Sequence, residues 1–234
     1  MTGINIEGDV SGQVGMGDTV VQVQSGPTGS EGAPLVILFW ASNPIDTERL
    51  RLDEEVRTID ERLRASEFRD RFDLKDQWAV RISDLSEGLL RYRPSIVHFS
   101  GHGNPTGEIV LERPDGTSGQ VSASALAGLF AAVAGNDSAP VCVVFNACFS
   151  ESMAEAVADH VACVVGTTTS IGDRAAISFA AGFYRALGYG ETIESAFAIG
   201  RNEIELLGLG EETTPKLVSR RDPGQIRLTP GASP

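Results

Sequence analysis

Short apolar runs alternate with segments of helical periodicity along most of the chain. The runs cover residues 35–40, 95–99, 141–145 and 161–165, and most of the residues in each are apolar. This pattern is typical of strands that are covered on both faces, because neither face then meets water. It predicts four buried strands, and we place a fifth strand within residues 72–82.

The segments between these runs predict helices. In the first of them, apolar residues recur at spacings of four, three and four residues, which places them on one face of a helix that Asp46 or Thr47 can cap. This apolar stripe consists of Leu52, Val56, Ile59 and Leu63. The charged residues within 48–71 are expected to face solvent. Further helices are predicted within residues 84–90, 122–134, 151–159, 175–187 and 192–207.

Strands that alternate with helices indicate right-handed crossover connections. We therefore predict an α/β fold with a mostly parallel sheet that is flanked by helices on both faces. Ligands of such folds bind beyond the carboxyl ends of the strands. Residues 41–43, 100–103 and 146–150 follow three of these ends, so the functional site is expected among them.

Residues 1–33 differ in composition from the rest of the chain. They contain eight glycines, four acidic residues and no lysine or arginine. Two short β-prone runs with turn-forming residues between them predict a small β-hairpin appendage and a linker, with a flexible leader as the alternative. The expected domains are this leader at 1–33, the α/β domain at 34–218 and an irregular tail at 219–234.

The net charge narrows the range of partners. The chain has 19 basic and 32 acidic residues, which gives a formal charge of −13. Such a surface repels phosphate backbones and anionic lipids, so we expect neither nucleic acid nor a membrane as a partner. The first twenty residues contain acidic but no basic residues, unlike a secretory signal, and we expect a cytoplasmic protein.

The three cysteines do not suggest a disulfide framework or a metal site. Their number is small and odd, and 5 and 14 residues separate them, which fits no usual zinc pattern. We therefore expect no metal and no cofactor. Cys142 and Cys163 lie within apolar runs and are expected to be buried side chains. His98 is expected to lie in or near the core, and His160 at a helix end.

His102 and Cys148 are the candidates for chemistry. Each lies just past the end of a predicted buried strand, and their positions in the sequence differ by 46. If the two strands are neighbours, an imidazole lies within reach of a thiol, which is a base–nucleophile arrangement. The N–H groups of Gly103 and Cys148 can then stabilise a developing oxyanion. The alternative is a pair of tight-turn residues without chemistry.

These segments resemble a known family. Residues 96–103, with the sequence IVHFSGHG, and residues 145–148, with the sequence FNAC, are similar in order and spacing to the CHAT family of caspase-like cysteine peptidases. Residues 41–55 and 166–187 extend the similarity. The resemblance covers about residues 34–210, and it implies a caspase-like fold.

The resemblance also implies an activity. His102 would be the general base and acid of an endopeptidase, and Cys148 the nucleophile. Asp173 would line the pocket for the residue before the scissile bond and favour arginine or lysine there, although Asp173 can equally cap the following helix. Ser42 and Asn43 are further candidates to line the cleft.

The biological setting that the resemblance implies is bacterial signalling or antiviral defence, in which such peptidases cut partner proteins in a proteolytic cascade. Residues 1–33 would recruit an activating protein. A catalytically silent recruitment module and a nucleotide-binding α/β domain are the alternative functions. The nucleotide-binding alternative is weakened because residues 41–44, which follow the first strand, form no glycine-rich phosphate loop.

Overall fold

The structure is a computed structural model, and it describes residues 33–135 and 139–229. The predicted N-terminal hairpin and the last residues of the predicted tail lie outside the described residues. The proposed domain boundaries therefore stay predictions.

The described residues contain eight strands, of which β1, β3, β6 and β7 coincide with the four apolar runs. Apolar β-branched and aromatic side chains dominate the central ones, as strands with two covered faces require. The strands are β1 (Leu35–Ser42), β2 (Phe72–Gln77), β3 (Ile96–Gly101), β4 (Ile109–Glu112), β5 (Ser118–Val121), β6 (Cys142–Asn146), β7 (Cys163–Thr167) and β8 (Pro215–Ser219).

Six α-helices connect these strands within the described ranges. They are α1 (Leu52–Arg64), α2 (Ile82–Tyr92), α3 (Ala123–Ala134), α4 (Glu151–Val157), α5 (Asp173–Gly188) and α6 (Ile193–Leu206). Ser122 is the N-cap of α3, and its Oγ accepts a hydrogen bond from the Ala125 N–H at 3.3 Å. None of these helices is both long and apolar enough to cross a membrane.

Strand order brings the candidate residues to neighbouring strands. The large sheet has the order β2-β1-β3-β6-β7-β8, and β4 and β5 form a separate antiparallel hairpin. β1, β2, β3, β6 and β7 are parallel, and β8 is antiparallel to β7. β3 lies directly beside β6, with Ser100 opposite Asn146 at their carboxyl ends.

Each face of the sheet carries its own hydrophobic core. Residues of α1, α5 and α6, such as Ile59, Phe183 and Ile204, pack on one face. Residues of α2, α3 and α4, such as Leu89 and Phe130, pack on the other. The predicted fold class is confirmed: a mostly parallel α/β sheet with helices on both faces.

Some local predictions are wrong. α1 begins at Leu52 with Arg51 as the N-cap, because Asp46 instead accepts a hydrogen bond from the Ser118 N–H at 2.8 Å. The predicted apolar stripe of this helix packs on the core, with Val56 only partly buried. The stripe omits Glu55, which is buried as well. Glu55 also contradicts the solvated face that the charged segment predicts.

Two further elements differ from the prediction. α2 begins at Ile82 rather than near Asp84, and the Asp84 carboxylate accepts a hydrogen bond from the Arg81 N–H at 2.9 Å. The edge strand β8 was not predicted at all. Its side chains are mostly half-buried and it begins at Pro215, so its sequence lacks the apolar run that marks the central strands.

Candidate active site

The carboxyl edge of the large sheet contains a narrow cavity of about 40 Å³, with space for a few water molecules. His102, beyond β3, and Cys148, beyond β6, both line this cavity. Parallel neighbouring strands end at the same edge of a sheet, and this topology brings the two residues together across 46 residues of sequence.

Backbone contact joins the two turns that carry these side chains. A Cβ atom at Gly103 would lie 2.0 Å from the carbonyl oxygen of Cys148, a distance that no side chain tolerates. Glycine is therefore required at this position for the turns to approach each other. Beyond Cys148, Phe149 adopts a left-handed φ of +54°, which ends β6 in a sharp turn.

His102 has a defined orientation. Its Nε2–H donates a hydrogen bond of 2.7 Å to the carbonyl oxygen of Glu48. In the neutral imidazole, a proton on Nε2 leaves Nδ1 as the acceptor. A backbone carbonyl thus selects the tautomer in which Nδ1 can receive a proton.

The Glu48 carbonyl lies in a loop whose two ends are joined by the side chain of Asn43, the residue after β1. Asn43 Oδ1 accepts from the Leu50 N–H at 3.3 Å, and Asn43 Nδ2 donates to the Leu50 carbonyl at 3.2 Å. These two hydrogen bonds tie together the ends of a loop over residues 43–50. Glu48 lies within this loop, so Asn43 contributes to its placement against His102.

The Cys148 sulfur contacts the chain that precedes α5. The Ile171 N–H donates to Sγ at 3.5 Å, and Sγ lies 3.7 Å from the Ile171 carbonyl oxygen. Among the described residues, no hydrogen bond joins Cys148 to His102. The backbone N–H groups of Gly103 and Cys148 have no acceptor there either.

A buried polar cluster lies beneath the cavity. Its centre is Glu55 of α1, which is 2% exposed and lines the floor of the cavity. The carboxylate accepts hydrogen bonds from His98 Nε2 at 2.8 Å, from Asn146 Nδ2 at 2.5 Å and from the Ser100 hydroxyl. The Tyr184 hydroxyl lies 3.0 Å from His98 Nδ1. We refer to these five residues as the Glu55 cluster.

Sequence reasoning missed most of this cluster, although a signal was present. Glu55 is three residues after Leu52 and four before Ile59, which places it within the apolar stripe of α1. Ser100 and Asn146 end two otherwise apolar strands. Polar residues at core positions that share an end of the sheet indicate a buried hydrogen-bonded network.

The family follows from a comparison with known sequences. Residues 23–204 match the family model of the CHAT domain. The chain belongs to the CHAT domain family.

Two curated relatives support the assignment. The CHAT domain is 24% identical over 171 residues to a probable protease of Gillisia limnaea, covering 72% of this chain and 30% of that protein. It is 25% identical over 155 residues to a Roc-COR-CHAT protease of an unknown prokaryotic organism, covering 64% of this chain and 15% of that protein. The chain thus spans less than a third of the length of these relatives.

Solved structures support the caspase-like fold of the CHAT domain. A secreted C11 cysteine protease of Bacteroides thetaiotaomicron has a TM-score of 0.56 at 11% identity, with 80% of this chain and 66% of that chain covered. Caspase-1 of Spodoptera frugiperda has a TM-score of 0.54 at 12% identity, with 80% and 86% covered. The Arg-specific cysteine proteinase gingipain R has a TM-score of 0.56 at 12% identity, with 82% and 47% covered.

Asp173 lies at the rim of the cavity in this CHAT domain. The alternative that Asp173 is the N-cap of α5 is wrong, because Gly172 occupies that position and Asp173 is the first helical residue. Its Oδ2 accepts a hydrogen bond from the Arg51 N–H at 3.1 Å. Asp173 also lines an adjoining cleft of about 390 Å³ together with Arg51 and Arg174.

Ser42 and Asn43 do not line the cavity that contains His102 and Cys148. Ser42 is fully buried, and Asn43 lines a separate cleft of about 330 Å³ beside Trp78. Ser42 is the last residue of β1, and Asn43 follows it. Leu50 and Leu52 line both the cavity and the cleft beside Trp78, so they lie between the two spaces. The expectation that they line the catalytic cleft is therefore wrong.

The remaining cysteines and histidines lie away from the cavity or below it. Cys142 and Cys163 are buried neighbours on β6 and β7, as expected, and burial raises the pKa of both thiols. His98 is fully buried within the Glu55 cluster, and His160 lines a surface cleft with Asp159. No group of three or more metal-ligating side chains occurs among the described residues.

Proposed function

We propose that this CHAT domain is a cysteine endopeptidase with Cys148 as the nucleophile and His102 as the general base and acid. The observation that supports this most strongly is that both side chains line one cavity, at the ends of adjacent parallel strands. The protease names of its relatives and the caspase-like fold agree with the proposal.

The chemistry begins with proton transfer from the Cys148 thiol to Nδ1 of His102. The thiolate attacks the carbonyl carbon of the scissile peptide bond, and the N–H groups of Gly103 and Cys148 donate to the resulting oxyanion. His102 then protonates the leaving amine as the C–N bond breaks. Water hydrolyses the thioester, with His102 accepting its proton and returning one to the Cys148 sulfur.

The contact between Cys148 and Ile171 places a condition on this mechanism. The sulfur must leave the Ile171 backbone and approach His102 before the proton can move. We propose that a peptide that binds at the cavity of His102 and Cys148 produces this movement of the sulfur. A domain in which the sulfur never leaves Ile171 would be the catalytically silent recruitment module, which is the second candidate function.

We also propose that the residue before the scissile bond is arginine or lysine. The Asp173 carboxylate at the cavity rim supports this, because it can form a charge-assisted hydrogen bond with a cationic side chain. The substrates would be partner proteins in a bacterial signalling or defence pathway.

A peptide panel tests the activity and the preference together. Peptides with Arg, Lys, Asp or Leu before the scissile bond are incubated with the wild type, Cys148→Ala and the control Cys163→Ala, which removes a different thiol. We expect the wild type and the control to cleave after Arg and Lys only, and Cys148→Ala to cleave nothing. Activity in Cys148→Ala would refute the nucleophile, and cleavage after Asp or Leu alone would refute the role of Asp173.

A further inference from the structure

The buried carboxylate of Glu55 has an unusual position for a charged group. Carboxylates are almost never fully buried unless hydrogen-bonded donors surround them, because removal from water is costly. Here three donors from two neighbouring strands converge on the two oxygens: His98 and Ser100 of β3, and Asn146 of β6. Both carboxylate oxygens therefore have hydrogen-bond donors, and three hydrogen bonds fix the position of the side chain.

The donors and acceptors of the cluster match one another from Tyr184 to Glu55. Burial raises the pKa of Tyr184 well above its usual value, so this phenol keeps its proton and can donate to His98 Nδ1. His98 then carries its proton on Nε2 and donates it to Glu55. Every polar atom in this chain of hydrogen bonds has a partner of the correct kind.

Two of the donors link the cluster directly to the candidate active site. Ser100 and Asn146 are paired across β3 and β6, and each lies two residues before a member of the predicted dyad. A single carboxylate thus bridges the two strand ends that carry His102 and Cys148. Its own helix begins beside the cavity, where the Arg51 N–H donates to Asp173.

We propose that Glu55 is the positioning residue of this active site, an inference that rests on the proposed peptidase function. By holding Ser100 and Asn146 at one point, it sets the separation between the turns of His102 and Cys148. It acts through these strands and not on the reacting atoms, because His102 donates to Glu48 and not to Glu55.

Replacement by alanine and by glutamine separates this role from general stabilisation. Glu55→Ala leaves three donors without an acceptor, and a displacement of about 1 Å between the reacting groups costs about 100-fold in rate. Glu55→Gln keeps the size of the side chain. Its oxygen can still accept from His98 and Asn146, and the Ser100 hydroxyl can accept from its amide.

Peptide hydrolysis is measured per titrated active site in the wild type, both variants and the control Glu61→Ala, which changes an exposed glutamate of the same helix. We expect Glu55→Ala to lower kcat by about 100-fold with KM within about threefold, and Glu55→Gln to stay within about tenfold of the wild type. Glu61→Ala should match the wild type. An unchanged kcat in Glu55→Ala, or equal losses in the alanine and glutamine variants, would overturn the proposal.

A second readout does not depend on peptide cleavage. The alkylation rate of Cys148 with iodoacetamide is followed across pH by peptide mass spectrometry. Alkylation requires the sulfur to leave the Ile171 backbone, so it reports on the conformers in which His102 can assist the thiol. We expect Glu55→Ala to shift this pH profile towards that of His102→Ala, because in these conformers the displaced imidazole no longer reaches the thiol. If the wild type cleaves no peptide and Glu55→Ala still shows this shift, the peptidase function is refuted and the positioning role is not. A profile that Glu55→Ala leaves unchanged would refute the positioning role.

Ser100→Ala keeps the test valid if Glu55→Ala does not fold. This variant removes one hydroxyl and one of the three donors, and it leaves the carboxylate with two. We expect a folded protein with kcat lowered by about tenfold and a partial shift of the alkylation profile. Wild-type kcat in this folded variant would contradict the proposal.

Discussion

The sulfur of Cys148 accepts a hydrogen bond from the backbone N–H of Ile171 at 3.5 Å. This contact places the segment before α5 over the candidate nucleophile. The same segment is tied to the chain between α6 and β8, where the Glu211 carboxylate accepts from the Gly172 N–H at 2.8 Å. The Thr168 N–H also donates to the Thr214 carbonyl at 3.0 Å. Access to Cys148 therefore depends on a segment whose anchors lie about 40 residues away in the sequence.

Loss of one anchor should expose the thiol. Glu211→Ala removes the carboxylate that holds Gly172, so we expect the segment over Cys148 to open more often and iodoacetamide to alkylate Cys148 about three to ten times faster. Glu212→Ala, a change at the neighbouring position, is the control and should leave the rate unchanged. Equal rates in Glu211→Ala and the wild type would show that this hydrogen bond does not limit access.

A side chain at Gly103 should separate the two turns of the site. Gly103→Ala places a Cβ against the Cys148 carbonyl, so we expect peptide hydrolysis to fall by at least about 100-fold and the free energy of unfolding by about 1–3 kcal/mol. Gly128→Ala is the matched control, because a Cβ there meets no atom within 4 Å. In this helical position alanine should instead stabilise the protein by about 0.5–1 kcal/mol. Denaturant titration and peptide hydrolysis distinguish the two variants.

Removal of the Asn43 side chain should release the carbonyl that orients His102. Asn43→Ala loses both hydrogen bonds to Leu50, so we expect the 43–50 loop to loosen and kcat to fall by about tenfold. Asn43→Asp can accept from the Leu50 N–H but cannot donate to its carbonyl, so its kcat should be intermediate. Asn202→Ala, on the exposed surface of α6, is the control for peptide hydrolysis. Wild-type kcat in Asn43→Ala would contradict a role for this loop.

Alkaline pH should destabilise the domain in part through Cys142. Burial raises the pKa of its thiol in the folded state, so the unfolded state loses this proton first as pH rises. The stabilisation is complete below about pH 8.5 and is lost as pH increases towards the folded-state pKa.

We expect the free energy of unfolding of the wild type to fall more steeply with pH above about 8.5 than that of Cys142→Ala. One proton corresponds to about 1.4 kcal/mol per pH unit, which urea titrations between pH 7 and 10 resolve. Identical slopes would refute this linkage.

The apolar pattern predicted the central strands and the fold class because these depend on local sequence. A strand covered on both faces is mostly apolar, and β1, β3, β6 and β7 show this apart from a few buried polar residues, such as His98 and Asn146. The same reasoning missed β8, since an edge strand needs no such pattern. It also misplaced the start of α1, because Asp46 bonds to Ser118, a residue 72 positions away.

By itself, the sequence determined the alternation of strands and helices, the family, and the two residues that follow neighbouring strand ends. Only the tertiary structure decided that Glu55 is buried, that Glu48 contributes a carbonyl to His102, and that Ile171 covers Cys148. Each of these contacts joins residues between 23 and 91 positions apart. Such contacts depend on how whole elements pack, and a local pattern of polar and apolar residues does not contain that information.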